Sequence, residues 1–200
     1  MLNGKIKIAV LVSGGGTNLQ AILDAQKSGI IKNGEVTLVI SNNEDAYALT
    51  RAANAGVKSV VIKRETDFEQ KIIDCLEEHG IELIVLAGFM CILSRSFTSR
   101  YRDRIINVHP SLIPSFCGKG FYGLHVHEAA LERGVKLTGA TVHFVNEIPD
   151  GGRIIAQKAV AIEENDTPET LQKRVMENAE WIILPQAIEK VSRELMEAKR

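Results

Sequence analysis

In the first half of the chain, short β-branched runs alternate with stretches whose apolar residues recur every three or four positions. The runs Ile6 to Val12, Val36 to Ile40, Val57 to Ile62, Leu83 to Ala87 and Ile105 to Val108 read as strands. Between them, Leu19, Ile22 and Leu23 give one helix its apolar face, Ala46 to Ala55 form a second, and Phe68, Ile72, Ile73 and Leu76 line a third. This alternation predicts an α/β protein with a doubly wound, mostly parallel sheet and right-handed crossovers, Rossmann-type in its N-terminal half. Ala-Val-Leu-Val at 9 to 12 and Ile-Val-Leu-Ala at 84 to 87 are continuously apolar, as strands covered on both faces must be. A ligand site is then expected at the carboxyl ends of the strands.

After Pro110 the rhythm stops. A loop containing glycine, serine and aromatic residues runs to Gly123, long enough to be a candidate functional segment, and a short helix follows near His127 to Arg133. Ala140 to Val145 and Arg153 to Ala161 read as two further, antiparallel strands around the turn Asn146 to Gly152. Thr167-Pro168-Glu169 carries the hydroxyl cap and first-turn proline of a long C-terminal helix, with Leu171, Val175 and Ala179 on one face and a kink or split expected at Pro185.

Two hundred residues suit one domain, 1–200. Lys and Arg total 24 against 25 Asp and Glu, so the net charge of −1 suggests neither nucleic acid nor an acidic membrane as the partner. The apolar stretch ending at Ser13 is too short for a membrane span and has no small-residue cleavage site, which predicts a cytoplasmic protein. Cys75, Cys91 and Cys117, odd in number and without paired ligand spacing, predict neither disulfides nor a structural zinc site.

Ser13-Gly14-Gly15-Gly16-Thr17-Asn18 follows the first strand and opens the first helix, where free N–H groups and the helix dipole favour a phosphate; the alternative is a plain tight turn. It is no dinucleotide fingerprint, because Leu19 stands where the third glycine belongs and Ser41-Asn42-Asn43 replaces a ribose-binding acid. Asn107 and His109 share one side at the end of the fifth strand, an amide donor and an imidazole suited to an oxyanion, unless both merely cap the strand. Asp150 is either a turn former or, if its turn folds over His109, the carboxylate that raises the histidine's pKa and keeps it charged. His125 and His127 suggest a metal pair only weakly, and His143 reads as a buried or rim residue.

Together, Ser13 to Gln20, Leu86-Ala87-Gly88-Phe89-Met90, Asn107 to Pro114, Thr141 to Val145 and Asp150-Gly151-Gly152 resemble the glycinamide ribonucleotide formyltransferase family over nearly the whole chain. The resemblance implies a formyltransferase-like fold. Residues 1–108 would be its phosphate-binding half, and 109–200 would carry the folate-binding and catalytic turn and the C-terminal helix.

The implied reaction moves the formyl group of 10-formyltetrahydrofolate, a co-substrate, to the amine of 5-phosphoribosylglycinamide in purine biosynthesis. No metal is implied, and the enzyme would be a monomer or homodimer. Gly15, Gly16, Thr17, Asn18, Leu19 and Glu180 would hold the ribonucleotide. Arg64, Met90, Cys91, Ile92, Leu93, Asn107, Val145, Asn146 and Asp150 would bind the folate. Asn107 and protonated His109 would hold the tetrahedral oxyanion, with Asp150 keeping His109 charged. Cys91 stands where many relatives carry Arg, which leaves the folate's glutamate tail to Arg64, Lys63 or solvent. The longer loop Ser115 to Gly123 would be a lid or an enlarged surface loop. The rival functions are a formyltetrahydrofolate hydrolase, a metal-dependent amidohydrolase using His125 and His127, and a phosphosugar-binding module without catalysis.

Overall fold

The computed structural model describes residues 4–199. These form a seven-stranded sheet: β1 (Ile6–Val12), β2 (Gly34–Ser41), β3 (Lys58–Val61), β4 (Leu83–Leu86), β5 (Ile105–His109), β6 (Leu137–Phe144) and β7 (Ile154–Ala161), in spatial order β3-β2-β1-β4-β5-β6-β7. The first five strands are parallel, and β6 and β7 add antiparallel pairs, with one sheet continuous across residue 108.

Strand alternation divides the core between the two faces. Ile8, Val10, Val12, Val85, Ile106 and Val108 pack with α1 (Thr17–Lys27), α2 (Tyr47–Asn54) and the C-terminal helices. Ala9, Leu11, Leu38, Ile40, Ile84, Leu86 and Ile105 pack on the other face with α3 (Phe68–Glu78) and α4 (Arg95–Arg100). The short α4 has too few residues to show a period in the sequence. Its start is set by the Ser94 hydroxyl, which accepts from the Phe97 N–H at 3.2 Å.

Helix α5 (Leu124–Arg133) begins directly after Gly123, three residues earlier than the sequence pattern suggests. Thr167 caps α6 (Pro168–Val175) through a reciprocal pair with Thr170, and Leu171, Val175 and Ala179 are all buried. The expected break at Pro185 is displaced upstream. Helix α7 (Trp181–Glu197) runs through Pro185, and the irregularity is a wide turn at Met176–Glu180, where the Trp181 N–H reaches the Met176 carbonyl five residues back. The irregularity thus precedes Pro185, whose missing N–H leaves the Trp181 carbonyl without its intrahelical donor.

The order of the strands puts a topological switch between β1 and β4, where the loops leaving two neighbouring strands diverge. Gly16 turns the chain there with φ 70°, and a Cβ on it would lie 2.6 Å from the Ala48 Cβ. Gly16→Ala therefore combines a left-handed backbone with an overlap against α2. It is expected to lower unfolding free energy by about 2–4 kcal/mol in urea titration. A loss below about 0.5 kcal/mol would show that α2 yields freely.

Candidate active site

The loops at the carboxyl ends of β1 and β4 are tied together where the Ser13 hydroxyl accepts from the Met90 N–H at 2.8 Å. On the β1 side, Arg51 of α2 donates from Nε to the Gly15 carbonyl at 2.9 Å, bringing a guanidinium to the glycine loop. Thr17 opens α1, whose first N–H groups have no carbonyl partner within the helix and no side-chain cap. The Leu19 side chain is fully buried in the core, which leaves its backbone as the part that can serve a ligand.

Asn18 donates from Nδ2 to Glu180 Oε2 at 2.6 Å, joining residues 162 positions apart. Glu180 lies in the wide turn between α6 and α7 and is buried. Burial pushes its carboxyl up to about 7 against the opposing pull of that hydrogen bond.

A cavity of about 700 Å³ opens beside this region. Met90, Cys91, Ile92 and Leu93 form one wall, Val145, Asn146 and Asp150 another, segment 118–123 a third, and Asn107, His109 and His143 the floor. Ile92 is 74% exposed and Met90 54%, an apolar surface open to a flat ligand. Arg64 is exposed and is not part of this lining, Lys63 is paired with Glu44 at 2.7 Å, and the lysine that does line the cavity is Lys119. Cys91 Sγ accepts from Asn42 Nδ2 at 3.1 Å. A second cavity of about 720 Å³ lies on the far side of the same turn, beside α4, and shares only Val145 and Asn146 with the residues expected at the site.

The floor is built by register. Asn107 pairs with His143 and His109 with Thr141 across the antiparallel β5–β6 ladder, so these four side chains share the face opposite Ile106 and Val108. Asp150 reaches them because its turn folds back with φ 56°, a conformation aspartate tolerates better than most residues. Its Oδ2 lies 3.6 Å from His109 Nδ1 and its Oδ1 3.5 Å from His143 Nε2, while the Gly118 N–H donates to Oδ2 at 2.8 Å. Gly152 makes the fold-back possible, since a Cβ there would lie 1.7 Å from the Phe144 carbonyl oxygen.

Segment 110–123 therefore does more than cover the cavity. Besides the Gly118 contact to Asp150, the Phe116 carbonyl accepts from His109 Nε2 at 2.8 Å, which leaves Nδ1 toward Asp150. Two influences oppose each other at His109. Burial lowers its pKa below 6.5, and Asp150 and the Phe116 carbonyl, which act the other way, do not overcome it. Burial works to raise Asp150, but contact with His143, the nearby His109 and the Gly118 N–H outweigh it and hold the carboxylate below its ordinary range. Burial at His109 and the contacts of Asp150 thus favour a neutral His109 beside an ionised Asp150 at pH 7.

His125 and His127 do not converge. Two positions apart on α5, they project to opposite sides: His125 is exposed and contacts Glu128 at 2.9 Å, whereas His127 is fully buried with neither ring nitrogen bonded to protein. Among the described residues, no group of three or more His, Cys, Asp or Glu is placed to hold a metal ion.

The sequence reading missed the Ser13–Met90 link, Arg51, the two backbone groups at 116 and 118, and the entry of His143 into the floor. The alternation Thr141-His143 opposite Asn107-His109 was the available signal for the last of these.

The sheet thus carries a glycine turn at its switch point and an Asn-His-Asp cluster on a cavity of about 700 Å³, and comparison with known proteins identifies its family. The chain belongs to the formyl transferase family, whose model matches residues 6–188. It is 43% identical over 187 residues to the phosphoribosylglycinamide formyltransferase of Haemophilus influenzae, covering 91% of this chain and 85% of that protein. It is 41% identical to the chloroplastic phosphoribosylglycinamide formyltransferase of Arabidopsis thaliana, covering 85% of this chain and 60% of that longer protein's length. The crystal structure of glycinamide ribonucleotide transformylase 1 from Symbiobacterium toebii superposes with a TM-score of 0.89 at 41% identity, covering 96% of this chain and 90% of that one. The chain spans 60% or less of the length of several curated relatives it matches, among them the trifunctional purine biosynthetic protein adenosine-3 of Gallus gallus, 44% identical over 94% of this chain and 18% of that protein.

Proposed function

We propose that Asn107, His109 and Asp150 are the catalytic group with which this chain moves the formyl group of 10-formyltetrahydrofolate to the amine of 5-phosphoribosylglycinamide. The observation that carries this reading is the convergence of the three side chains on the floor of the cavity, with Asp150 3.6 Å from His109 Nδ1. The pterin of the folate lies against Met90, Cys91, Ile92 and Leu93 and the turn from Val145 to Asp150. The ribonucleotide phosphate lies on Gly15, Gly16, Thr17 and Asn18, and Glu180 receives its glycinamide end.

The amine attacks the formyl carbon, and the carbonyl π electrons move onto oxygen, where an Asn107 N–H receives the charge. The new C–N bond leaves the amine positively charged. Its excess proton passes by way of the Asp150 carboxylate, 3.6 Å from His109 Nδ1, to that nitrogen, which is unprotonated in the neutral ring, and Asp150 stabilises the imidazolium as it forms. The oxyanion then collapses, the bond to the folate nitrogen breaks, and the proton held by His109 is delivered to that nitrogen, by way of water. His109 begins neutral and ends neutral, so the low pKa set by burial fits a base that must be free at pH 7.

The protein acts on small molecules in the cytoplasm, as a monomer or homodimer; among the described residues no helix is long and apolar enough to cross a membrane. Absorbance at loss of the formyl group from 10-formyltetrahydrofolate tests the reading. Turnover is expected only when 5-phosphoribosylglycinamide is present and is expected to be unchanged by EDTA. Turnover without the amine would identify a hydrolase, and no turnover with either would leave a binding module.

A further inference from the structure

His143 is 1% exposed, lines the cavity floor and has no part in the transfer described above. Its ring is nevertheless fully engaged. Nδ1 lies 2.8 Å from the Phe144 carbonyl oxygen, and because a carbonyl only accepts, the proton of a neutral ring sits on Nδ1. Nε2 then carries a lone pair. Its nearest polar neighbour is Asn107 Nδ2 at 3.2 Å, with Asp150 Oδ1 farther away at 3.5 Å. A lone pair accepts from an amide N–H and is repelled by an amide oxygen, so this ring distinguishes the two ends of the Asn107 side chain, which are otherwise nearly the same in shape.

We propose that His143 is a positioning residue: its Nε2 lone pair holds the Asn107 amide with the nitrogen inward, so that the second N–H of that nitrogen is the one offered to the formyl oxygen. The proposal rests on the reading of Asn107 as the oxyanion donor. With the amide reversed, Asn107 would present an oxygen lone pair to the developing negative charge, a repulsive contact in place of an attractive one. The arrangement comes directly from the fold. Asn107 and His143 are partners across the β5–β6 ladder, and the backbone carbonyl that fixes the tautomer belongs to the residue after His143 itself. Sheet register thus transmits the orientation of one carbonyl to a side chain at the reacting centre.

Two measurements test this. In the wild-type protein with 15N-labelled histidine, His143 is expected to show a protonated Nδ1 and an unprotonated Nε2 at pH 7.5; the reverse tautomer, or a ring protonated on both nitrogens, would overturn the proposal without any variant being made.

In kinetics, His143→Leu is expected to lower kcat about tenfold, less than loss of the donor itself, with KM for either substrate changing less than about threefold. His143→Gln, whose amide oxygen can stand where Nε2 stood, is expected to recover most of that loss. In an Asn107→Ala background, His143→Leu should cost nothing further, because there is no amide left to orient. A tenfold loss that persists in that background overturns the positioning role while leaving Asn107 as the donor. Wild-type turnover in Asn107→Ala alone would instead remove the reading on which the proposal rests.

Discussion

Asn107→Ala is expected to reduce kcat by about 10²–10³ while KM for both substrates changes much less, because the lost N–H bonds strongly only to the charged oxygen of the tetrahedral intermediate. The truncation leaves a polar floor intact: His109, His143 and Asp150 keep their own partners in the Phe116 and Phe144 carbonyls and the Gly118 N–H. Stability should therefore change little, and the loss should appear in turnover. His109→Ala is expected to fall in the same range for a different reason, the loss of the proton carrier. The two are distinguished by pH. In the wild type and in Asn107→Ala, kcat/KM should fall on the acid side through a pKa below 6.5, since burial keeps His109 neutral to lower pH than an exposed histidine; in His109→Ala that limb should vanish. Steady-state kinetics between pH 5 and 8.5 would measure it, and turnover near the wild-type level in either variant would remove these residues from the catalytic group.

Much of the scaffold was legible because burial on both faces leaves a plain signature. The runs at 9 to 12 and 84 to 87 are apolar at every position, and the structure places their alternate residues in two separate cores. Helix α4 and the position of the C-terminal irregularity were less accessible. One is shorter than the period that would reveal it, and the other, at Met176–Glu180, lies upstream of Pro185, the residue that marks a break in the sequence.

The site divides in the same way. Asn107 and His109 follow from period-two alternation at a strand end, and the glycine turn follows from its place after β1. The contact of His143 with Asn107 depends on the register between β5 and β6, which no local pattern states. The hold of Phe116 and Gly118 on His109 and Asp150 runs through backbone atoms and so leaves no trace in residue identity. Arg64 carries a suitable charge but is outside the cavity lining, and Leu19 follows the glycine turn while its side chain belongs to the core. The carboxylate beside His109 was foreseeable, whereas the depth of its burial, which acts the other way on its pKa, was not.

Glu180→Gln should change how stability depends on pH more than it changes stability at any single mildly acidic pH. Two deeply buried groups titrate in opposite senses across the same window. His127 is lowered from 6.5 to about 4 by burial and, less, by His109; its neutral form is favoured in the folded chain, so its contribution is complete above 6.5 and is lost as pH falls toward 4. Glu180 is raised from 4.5 to about 7; its contribution is complete below 4.5 and is lost as pH rises through 7. Each displacement corresponds to about 3 kcal/mol, so between pH 4.5 and 6.5 the two slopes oppose each other. His109, also lowered, adds to the rising side, and the exposed surface ion pairs add little. The wild type should therefore gain stability only gently over that interval. Glu180→Gln removes the falling slope and is expected to gain about 3 kcal/mol from pH 4.5 to 6.5, whereas His127→Leu removes most of the rising slope and should lose stability toward pH 7. Urea titrations at pH 4.5, 5.5, 6.5 and 7.5 would measure all three. If Glu180→Gln follows the wild-type profile, the Glu180 carboxyl is ionised throughout, and the burial that raises it in the folded chain is relieved in solution.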